Sequence, residues 1–246
     1  MNSVFHTQFT VDATHSDCFG RLKPSSICYF VQEVAGQHCL ELALDWDTLA
    51  QRRLFWAIIR HRVQITRLPS KGETITVETW PMPTTRVAFP RSVVAYDQDG
   101  NELFRSISLW VLMDMDTRAM ILPGKSGVEV PGLLRGSELA TPKSLVPVTL
   151  GAEKLRHVRY SDLDLNGHMN NCRYLDWVCD LLPSGFHHNH SMKEFTLCYL
   201  SEAREGEALK LQWELGHGGM LRVETVRQEE TDGRDCRIFS ADITFG

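Results

Sequence analysis

Three polar residues spaced two apart, Asp164, Asn166 and His168, could together perform chemistry on a carbonyl. If this stretch is extended, alternate side chains point the same way, about 6.5 Å apart, so a carboxylate, an amide and an imidazole would converge. Acyl transfer needs such a set: a base, polar groups that orient it, and donors for a developing oxyanion. Asp and Asn are also common turn formers, so the triplet alone leaves both interpretations open.

The residues that follow the triplet read as the start of a helix. The first N–H groups of a helix lack intrahelical partners and favour negative charge, so amides around Gly167, Met169 and Asn170 could polarise a carbonyl. Gly167 would let the backbone approach a ligand closely, or is a simple turn glycine. Tyr174 and Trp177 share a helix face, and we expect core packing for both, with pocket lining as the second possibility.

The elements that would position these residues form two similar halves. In the first half, apolar residues recur at helical spacing from Pro24 to Leu44, and Pro24 suits a first helical position. Strand-like runs are expected at Val4–Val11, Leu54–Leu68, Glu73–Trp80, Val87–Tyr96 and Glu102–Asp114. One long helix followed by a run of antiparallel strands is typical of an α+β fold.

A stretch rich in proline and glycine, Leu122–Lys154, predicts an irregular linker. The second half then repeats the plan, with a short strand at Val158–Tyr160 and a helix at Asn170–Leu182. Further strands are expected at Glu194–Leu200, Ala208–Leu215, Met220–Glu229 and Arg237–Phe245. The repetition indicates an internal duplication. At an ungapped shift of 145, the triplet falls on Phe19, Arg21 and Lys23, which would leave the chemistry in the second half.

Composition limits the classes of function. The chain has 246 residues, 43% of them hydrophobic and 23% charged, as in an ordinary globular protein. A net charge of -5 argues against nucleic-acid binding driven by overall electrostatics. A local basic group could still dock a partner, although a solvated face is its commoner meaning: Arg52, Arg53, Arg60, Arg62, Arg67, Lys71, Arg86 and Arg91.

Cysteine usage and the absence of targeting patterns predict a cytoplasmic location. The seven cysteines include no C-x-x-C pair, which suits reduced thiols and gives neither a disulfide framework nor a zinc signature. The N-terminal residues lack the pattern of a signal peptide, and no apolar run reaches the length of a membrane span. The run His187–His190 is interpreted as a solvated loop rather than a metal site, and no motif predicts a cofactor.

The chain resembles the acyl-acyl carrier protein (acyl-ACP) thioesterases of plants and bacteria. In the first half the resemblance is carried by Leu54–Thr66, which contains Trp56, by Lys71–Trp80, by Asp97–Gly100 and by Ser106–Met113. In the second half it is carried by D-x-N-x-H followed by N-N-x-x-Y-x-x-W, within residues 161–177. The paired asparagines and the Tyr174 and Trp177 positions make this pattern more specific than D-x-N-x-H alone.

The resemblance implies two tandem "hot-dog" units, each with a long helix wrapped by a curved antiparallel sheet. Residues 1–130 would form a first unit with the acyl pocket and the carrier-docking surface, and residues 131–152 a linker. Residues 153–246 would form a second unit with the catalytic residues. Trp56, the first helix and its neighbouring strands are candidate pocket walls. Hot-dog proteins often pair their sheets, so the resemblance leaves open both a homodimer and a single chain whose two halves act as a pseudo-dimer.

The resemblance also implies a catalytic acid, placed at Glu202 in the segment Leu197–Glu205. Many members have cysteine at the next position, where this chain has Ala203, so a cysteine nucleophile at that position is excluded. The expected reaction is hydrolysis of fatty acyl-ACP, in which Glu202 activates water or attacks the thioester to form an anhydride. An acyl-CoA thioesterase and a non-catalytic acyl-binding protein are the alternatives.

Overall fold

The structure is a computed structural model that describes residues 3–136, 138–228 and 235–246. The chain divides into two compact units, Met1–Pro142 and Lys143–Gly246. We call these unit 1 and unit 2 and describe each separately.

Unit 1 is built on a helix, α1 (Pro24–Glu41), and its antiparallel strands. Proline stands in the first turn of α1, and Ile27, Val31 and Val34 are among its fully buried residues. The strands are β1 (Phe5–Thr10), β2 (Leu54–Ile65), β3 (Thr74–Pro81), β4 (Phe89–Tyr96), β5 (Glu102–Asp114) and β6 (Met120–Ile121). Pairing gives the order β1-β3-β4-β5-β2, and β6 also pairs with β5.

Two local features of unit 1 differ from the sequence prediction. Helix α1 ends at Glu41 rather than at Leu44, and a short helix, α2 (Trp46–Ala50), follows it. The Asp45 side chain caps α2 by accepting hydrogen bonds from the amides of Asp47 and Thr48. Another short helix, α3 (Pro123–Ser126), lies within the stretch that was predicted to be irregular.

The interior of unit 1 contains a fully buried histidine. His61 of β2 is 1% exposed, and its Nε2 lies 3.0 Å from Ser106 Oγ on β5. Its Nδ1 lies 3.8 Å from the Cys28 thiol on α1. Burial lowers the pKa of His61 from 6.5 to about 3, because the apolar interior disfavours the imidazolium form.

We expect acid to destabilise the folded chain through His61. In the unfolded chain this residue protonates near pH 6.5, whereas in the folded chain it stays neutral down to about pH 3. Its contribution to the free energy of unfolding is therefore present above pH 6.5 and is lost between those two values, by up to about 1.4 kcal/mol per pH unit. Urea unfolding of wild type and His61→Gln from pH 7 to 4 measures it, and equal slopes in both proteins would contradict it.

In its described residues, unit 2 contains the shorter helix α4 (Asn171–Cys179) and five antiparallel strands. The strands are β7 (Ala152–His157), β8 (Met192–Tyr199), β9 (Ala208–Leu215), β10 (Met220–Gln228) and β11 (Asp235–Phe245). They pair in the order β8-β11-β10-β9-β7. Tyr174 of α4 stacks on Phe239 of β11, with ring centroids 4.7 Å apart, which fixes the helix against the sheet.

Several predicted elements of unit 2 are corrected by the structure. The first strand is β7, within and just beyond the predicted linker, whereas Val158–Tyr160 is not a strand. Helix α4 spans nine residues and ends at Cys179 rather than at Leu182. The histidine run is not a loop, because all of it except His190 belongs to a short helix, α5 (Ser184–Asn189). The predicted end of β10 at Glu229 lies outside the described residues.

The internal duplication is visible in backbone hydrogen bonds, at an offset of 147 rather than 145. In unit 1, Asp17 N–H donates to Arg21 O and Gly20 N–H donates to Asp17 O, at 2.7 and 3.1 Å. In unit 2, Asp164 and Gly167 donate to His168 O and Asp164 O in the same pattern, at 2.9 and 3.0 Å. Each unit therefore contains the same turn, with Arg21 at the position that corresponds to His168.

Candidate active site

The Asp164–His168 segment is a tight turn and not the extended stretch that the spacing predicted. Besides the two backbone bonds just given, the Asp164 carboxylate accepts a hydrogen bond of 2.8 Å from the backbone N–H of Asn166. Gly167 has φ +73°, the left-handed conformation that glycine adopts without strain. Leu163 and Met169 bridge across the base of the turn. Asp164 therefore shapes the turn that presents His168.

A buried carboxylate holds the turn against helix α4. Asp162 is 4% exposed and accepts hydrogen bonds from the Arg159 amide at 3.0 Å and from the Trp177 indole at 3.3 Å. The backbone N–H of Asn170 donates to Asp162 O at 2.8 Å. The Asn170 side-chain oxygen caps α4 by accepting a hydrogen bond of 2.9 Å from the backbone N–H of Cys172. Asp162 and Asn170 thus fix where the helix begins relative to the turn.

The structure brings two of the four predicted catalytic residues into direct contact. His168 Nε2 lies 3.1 Å from Glu202 Oε2, although the residues are 34 positions apart. The His168 side chain is 14% exposed, and that of Glu202 is 40% exposed. The imidazole is thus largely sheltered, while the carboxylate reaches solvent. A base within hydrogen-bond distance of an imidazole and open to water is an arrangement suited to activating a water molecule.

Glu202 lies just beyond the end of β8, where the backbone pairs with the segment that follows the turn. Met169 N–H donates to Ala203 O at 2.8 Å, and His168 forms an isolated bridge with Arg204. Ala203 is fully buried, whereas Glu202 and Arg204 on either side are exposed. This alternation directs the Glu202 side chain outward, to the side on which His168 lies.

The amides that were expected to polarise a carbonyl are already engaged within the protein. The N–H groups of Gly167, Met169 and Asn170 donate to Asp164 O, Ala203 O and Asp162 O. In this conformation none of the three can serve as the oxyanion donor that the sequence suggested. The Asn166 side chain lies on the same exposed turn and can both donate and accept a hydrogen bond.

Two residues that were named as pocket candidates make packing contacts, Tyr174 in the interior and Trp56 in a half-buried position. Tyr174 is 4% exposed and contacts Phe239, and burial raises the pKa of its phenol well above the ordinary value. Trp56 belongs to unit 1, where its indole N–H donates to Leu44 O at 2.9 Å and its ring meets Phe89 edge-on. Tyr174 is therefore a core residue, whereas half-buried Trp56 packs against the core of unit 1 and stays a predicted pocket wall.

The basic group of unit 1 is partly committed to internal contacts. Arg91 is buried and its guanidinium contacts His38, Thr79 and Cys39, so it cannot belong to a docking surface. Arg67 is paired with Glu73 and Asp97. Other members of the group are engaged as well: Arg53 with Asp116, Arg52 with Ser126 O and Arg60 with Pro142 O.

Within residues 3–136, 138–228 and 235–246, no group of three or more His, Cys, Asp or Glu side chains is placed to hold a metal ion. Over the same ranges, no helix has both the length and the apolar character required to cross a membrane.

Sequence reasoning missed one side chain beside the site. Arg227 of β10 donates to Glu207 Oε2 at 2.7 Å and to the backbone oxygen of Glu202 at 3.4 Å. The contact joins residues 20 and 25 positions apart, and no local motif announces it. Only the strand pairing, which places β10 next to β9, could have suggested it.

Two tandem α+β units, with a histidine–carboxylate pair in the second, place the chain in the class of double hot-dog proteins. The sequence matches the acyl-ACP thioesterase N-terminal domain over residues 2–122 and the C-terminal domain over residues 147–241. The chain belongs to the acyl-ACP thioesterase family.

Curated relatives include plant enzymes. The chain is 25% identical over 222 residues to the chloroplastic palmitoyl-acyl carrier protein thioesterase of Gossypium hirsutum, covering 84% of this chain and 54% of that protein. It is 27% identical over 202 residues to oleoyl-acyl carrier protein thioesterase 2 of Arabidopsis thaliana, covering 74% and 55%. The chain thus spans about half the length of the curated relatives that it matches.

Solved structures share the fold over nearly the whole chain. An acyl-ACP thioesterase from Bacteroides thetaiotaomicron superposes with a TM-score of 0.88 at 22% identity, covering 99% of this chain and 98% of that one. The 12:0-ACP thioesterase from Umbellularia californica gives 0.82 at 22% identity, covering 100% and 98%. The predicted double hot-dog fold is confirmed.

Proposed function

We propose that this protein hydrolyses the thioester of fatty acyl-ACP to free fatty acid and carrier protein. The observation that carries the proposal is the 3.1 Å contact between His168 Nε2 and Glu202 Oε2 in unit 2 of a member of this family. The relatives named above are thioesterases of acyl carrier protein substrates, which supports the same substrate class here.

In the proposed mechanism Glu202 acts as the general base. Its carboxylate takes a proton from water, and the hydroxide oxygen bonds to the thioester carbon, giving a tetrahedral oxyanion. The carbon–sulfur bond then breaks, and the proton is returned to the leaving thiolate, with His168 holding or relaying it. The side-chain amide of Asn166 donates to the carbonyl oxygen. Direct attack by Glu202, which would form an anhydride, is the covalent alternative.

The position equivalent to the family's cysteine carries no nucleophile. Ala203 is fully buried and has only a methyl group, so both routes use a carboxylate. Cys198 is also buried, and its thiol donates to Lys143 O at 3.8 Å. A cysteine-based route through these two positions is thereby excluded from the proposal.

We expect the role of Asp164 to depend on accepting a hydrogen bond and not on its charge. Asp17 holds the corresponding turn of unit 1 in the same way, accepting from the Phe19 amide at 2.9 Å, where neither a histidine nor a glutamate is present at the matching positions. Asp164→Asn keeps a side-chain oxygen that can cap the turn, whereas Asp164→Ala removes it.

Steady-state kinetics of the two variants test this role. Asp164→Asn is expected to retain kcat to within about tenfold, and Asp164→Ala to lose about 10²-fold as His168 is displaced. Equal losses in both variants would show that the charge of Asp164 matters, as expected if it fixes the tautomer of His168.

For the carrier protein, we propose a docking surface on unit 1 that includes Arg62 and Lys71. Lys71 is exposed, and its amide donates to Gly20 O, which places it beside the duplicated turn. Positive charge there would speed encounter with an acidic carrier more than it would tighten binding.

We also propose a reducing compartment such as the cytoplasm, because all seven cysteines are free thiols.

The function is tested by measuring thiol release from acyl-ACP and acyl-CoA of matched chain length. Fast hydrolysis of acyl-ACP with slow hydrolysis of acyl-CoA is the expected result. A preference for acyl-CoA would keep the chemistry and replace the carrier. Binding of fatty acid without turnover of either thioester would overturn the enzyme assignment in favour of an acyl-binding protein.

A further inference from the structure

We propose that Arg227 is a positioning residue for Glu202, acting from β10 through the backbone of the segment that carries the catalytic carboxylate. The inference rests on the proposed function, because it assigns to Arg227 the task of holding the general base of that reaction. The Arg227 side chain is partly sheltered, at 28% exposed.

The contacts of Arg227 link two ends of one short segment. Its Nη1 donates to Glu202 O at 3.4 Å and to Glu207 Oε2 at 2.7 Å. Glu207 is tied in turn to the backbone, since its N–H donates to Arg204 O at 3.1 Å and its carbonyl accepts from Val158 N–H at 3.0 Å. The guanidinium therefore bridges the Glu202 carbonyl and the carboxylate of a residue whose backbone is held by two hydrogen bonds.

Glu202 needs such support because it stands outside regular structure. It follows the last residue of β8, Tyr199, and the amides of Leu200 and Ser201 share Ile238 O as acceptor, at 2.9 and 3.2 Å. On the other side, Ala203 O is held by Met169. Between these two anchored positions, the Glu202 carbonyl accepts a hydrogen bond from the Arg227 side chain.

Unit 1 offers a comparison that lacks the site. Gly72 N–H donates to Val11 O as Gly206 N–H donates to Val158 O, so Glu73 corresponds to Glu207 and Leu68 to Glu202.

In unit 1 the acid is also paired with an arginine, but a different one. Arg67 donates to Glu73 at 2.9 and 2.6 Å, and it belongs to the segment itself rather than to a neighbouring strand. Among the described contacts, an arginine from a separate strand holds the acid in unit 2, where the segment carries Glu202. In unit 1, where the segment carries Leu68, the arginine that holds the acid comes from the segment itself. This difference indicates that the contact from Arg227 supports the Glu202 carboxylate, since the turn that leads to the acid forms in unit 1 without such a contact.

The test is a set of variants assayed on acyl-ACP with the full chain. Arg227→Met is expected to lower kcat by about ten- to a hundredfold with little change in KM, since misplacing a catalytic group by about 1 Å has that effect. Arg227→Lys, which keeps one donor, should recover part of the loss. Glu207→Gln should lower kcat in the same direction but less.

A double variant separates positioning from other roles. If Arg227 acts through Glu202, Arg227→Met should change kcat by no more than about twofold in a Glu202→Gln background. The matched control is Arg222→Met on the same strand, which breaks an exposed pair with Asp242 and should leave kcat unchanged.

Each outcome has a defined meaning. Unchanged kcat in Arg227→Met, or an equal loss with and without Glu202, would overturn the inference. Should Arg227→Met fail to fold, Arg227→Lys and Glu207→Gln carry the same comparison. Full activity of Glu202→Gln would instead overturn the proposed general base, whatever Arg227 does.

Discussion

Glu202→Gln is expected to lower kcat for acyl-ACP hydrolysis by about 10²–10⁴-fold, the contribution typical of a positioned general base. Glutamine has the same shape and can still hydrogen-bond to His168, but its amide cannot take a proton from water or attack a thioester. The loss corresponds to about 3–5 kcal/mol of transition-state stabilisation. KM should change little, because the side chain acts on the reacting atoms and not on the carrier or the acyl chain.

The exposure of Glu202 makes this result interpretable. Its side chain is 40% exposed, so replacing it by an amide should leave the midpoint of thermal unfolding unchanged. Glu205→Gln is a matched control, since Glu205 is an exposed glutamate three residues along the same segment. Retention of wild-type kcat in Glu202→Gln, alongside an inactive His168 variant, would show that another carboxylate is the base.

Proline positions, polar turn residues and apolar patterning correctly predicted the helices and strands whose structure is determined by residues close together in the sequence. Pro24 marked the first turn of α1, and the polar run Asp97–Gly100 correctly separated β4 from β5. Strand β5 was predicted to the residue, because apolar side chains dominate Glu102–Asp114 between clear turn signals. In these places propensity, patterning and packing favour the same structure.

Elements that depend on distant pairing were misplaced. Strand β7 pairs only with β9 among the described strands, and most of its residues are exposed, so it has little apolar alternation to reveal it. The turn at Asp164 was interpreted as extended because residue types two apart suggested convergence. A short turn closed by a glycine in the left-handed conformation, as at Gly167, also has polar residues two positions apart, so the spacing does not distinguish the two structures.

The candidate site shows the same division. The motif around His168 drew attention to the turn that carries the imidazole. The family resemblance named Glu202, whose carboxylate lies 3.1 Å from that imidazole in the structure. The pairing of the Met169 amide with Ala203 O could be seen only in the structure, because a backbone hydrogen bond between residues far apart in the chain has no local signature. Arg227 was not identified from the sequence for the same reason, because its contacts with Glu202 and Glu207 join separate parts of the chain.

His168 and Glu202 are expected to act as one unit, so that losing both costs little more than losing the worse one. His168→Gln alone should lower kcat by about 10²–10³-fold, because the amide can occupy the position but cannot hold or relay a proton. Residues that serve a single step show strongly non-additive losses. In a Glu202→Gln background, His168→Gln should therefore reduce kcat by no more than about threefold further.

The double-variant cycle is measured by thiol release under single-turnover conditions, which isolates the chemical step from product release. His157→Gln serves as the control, since His157 is an exposed histidine on β7 of the same unit. Additive losses would mean that His168 and Glu202 act in separate steps, with the 3.1 Å contact serving only to orient one of them. Non-additive losses would mean that the contact is the path by which the proton of the attacking water is handled.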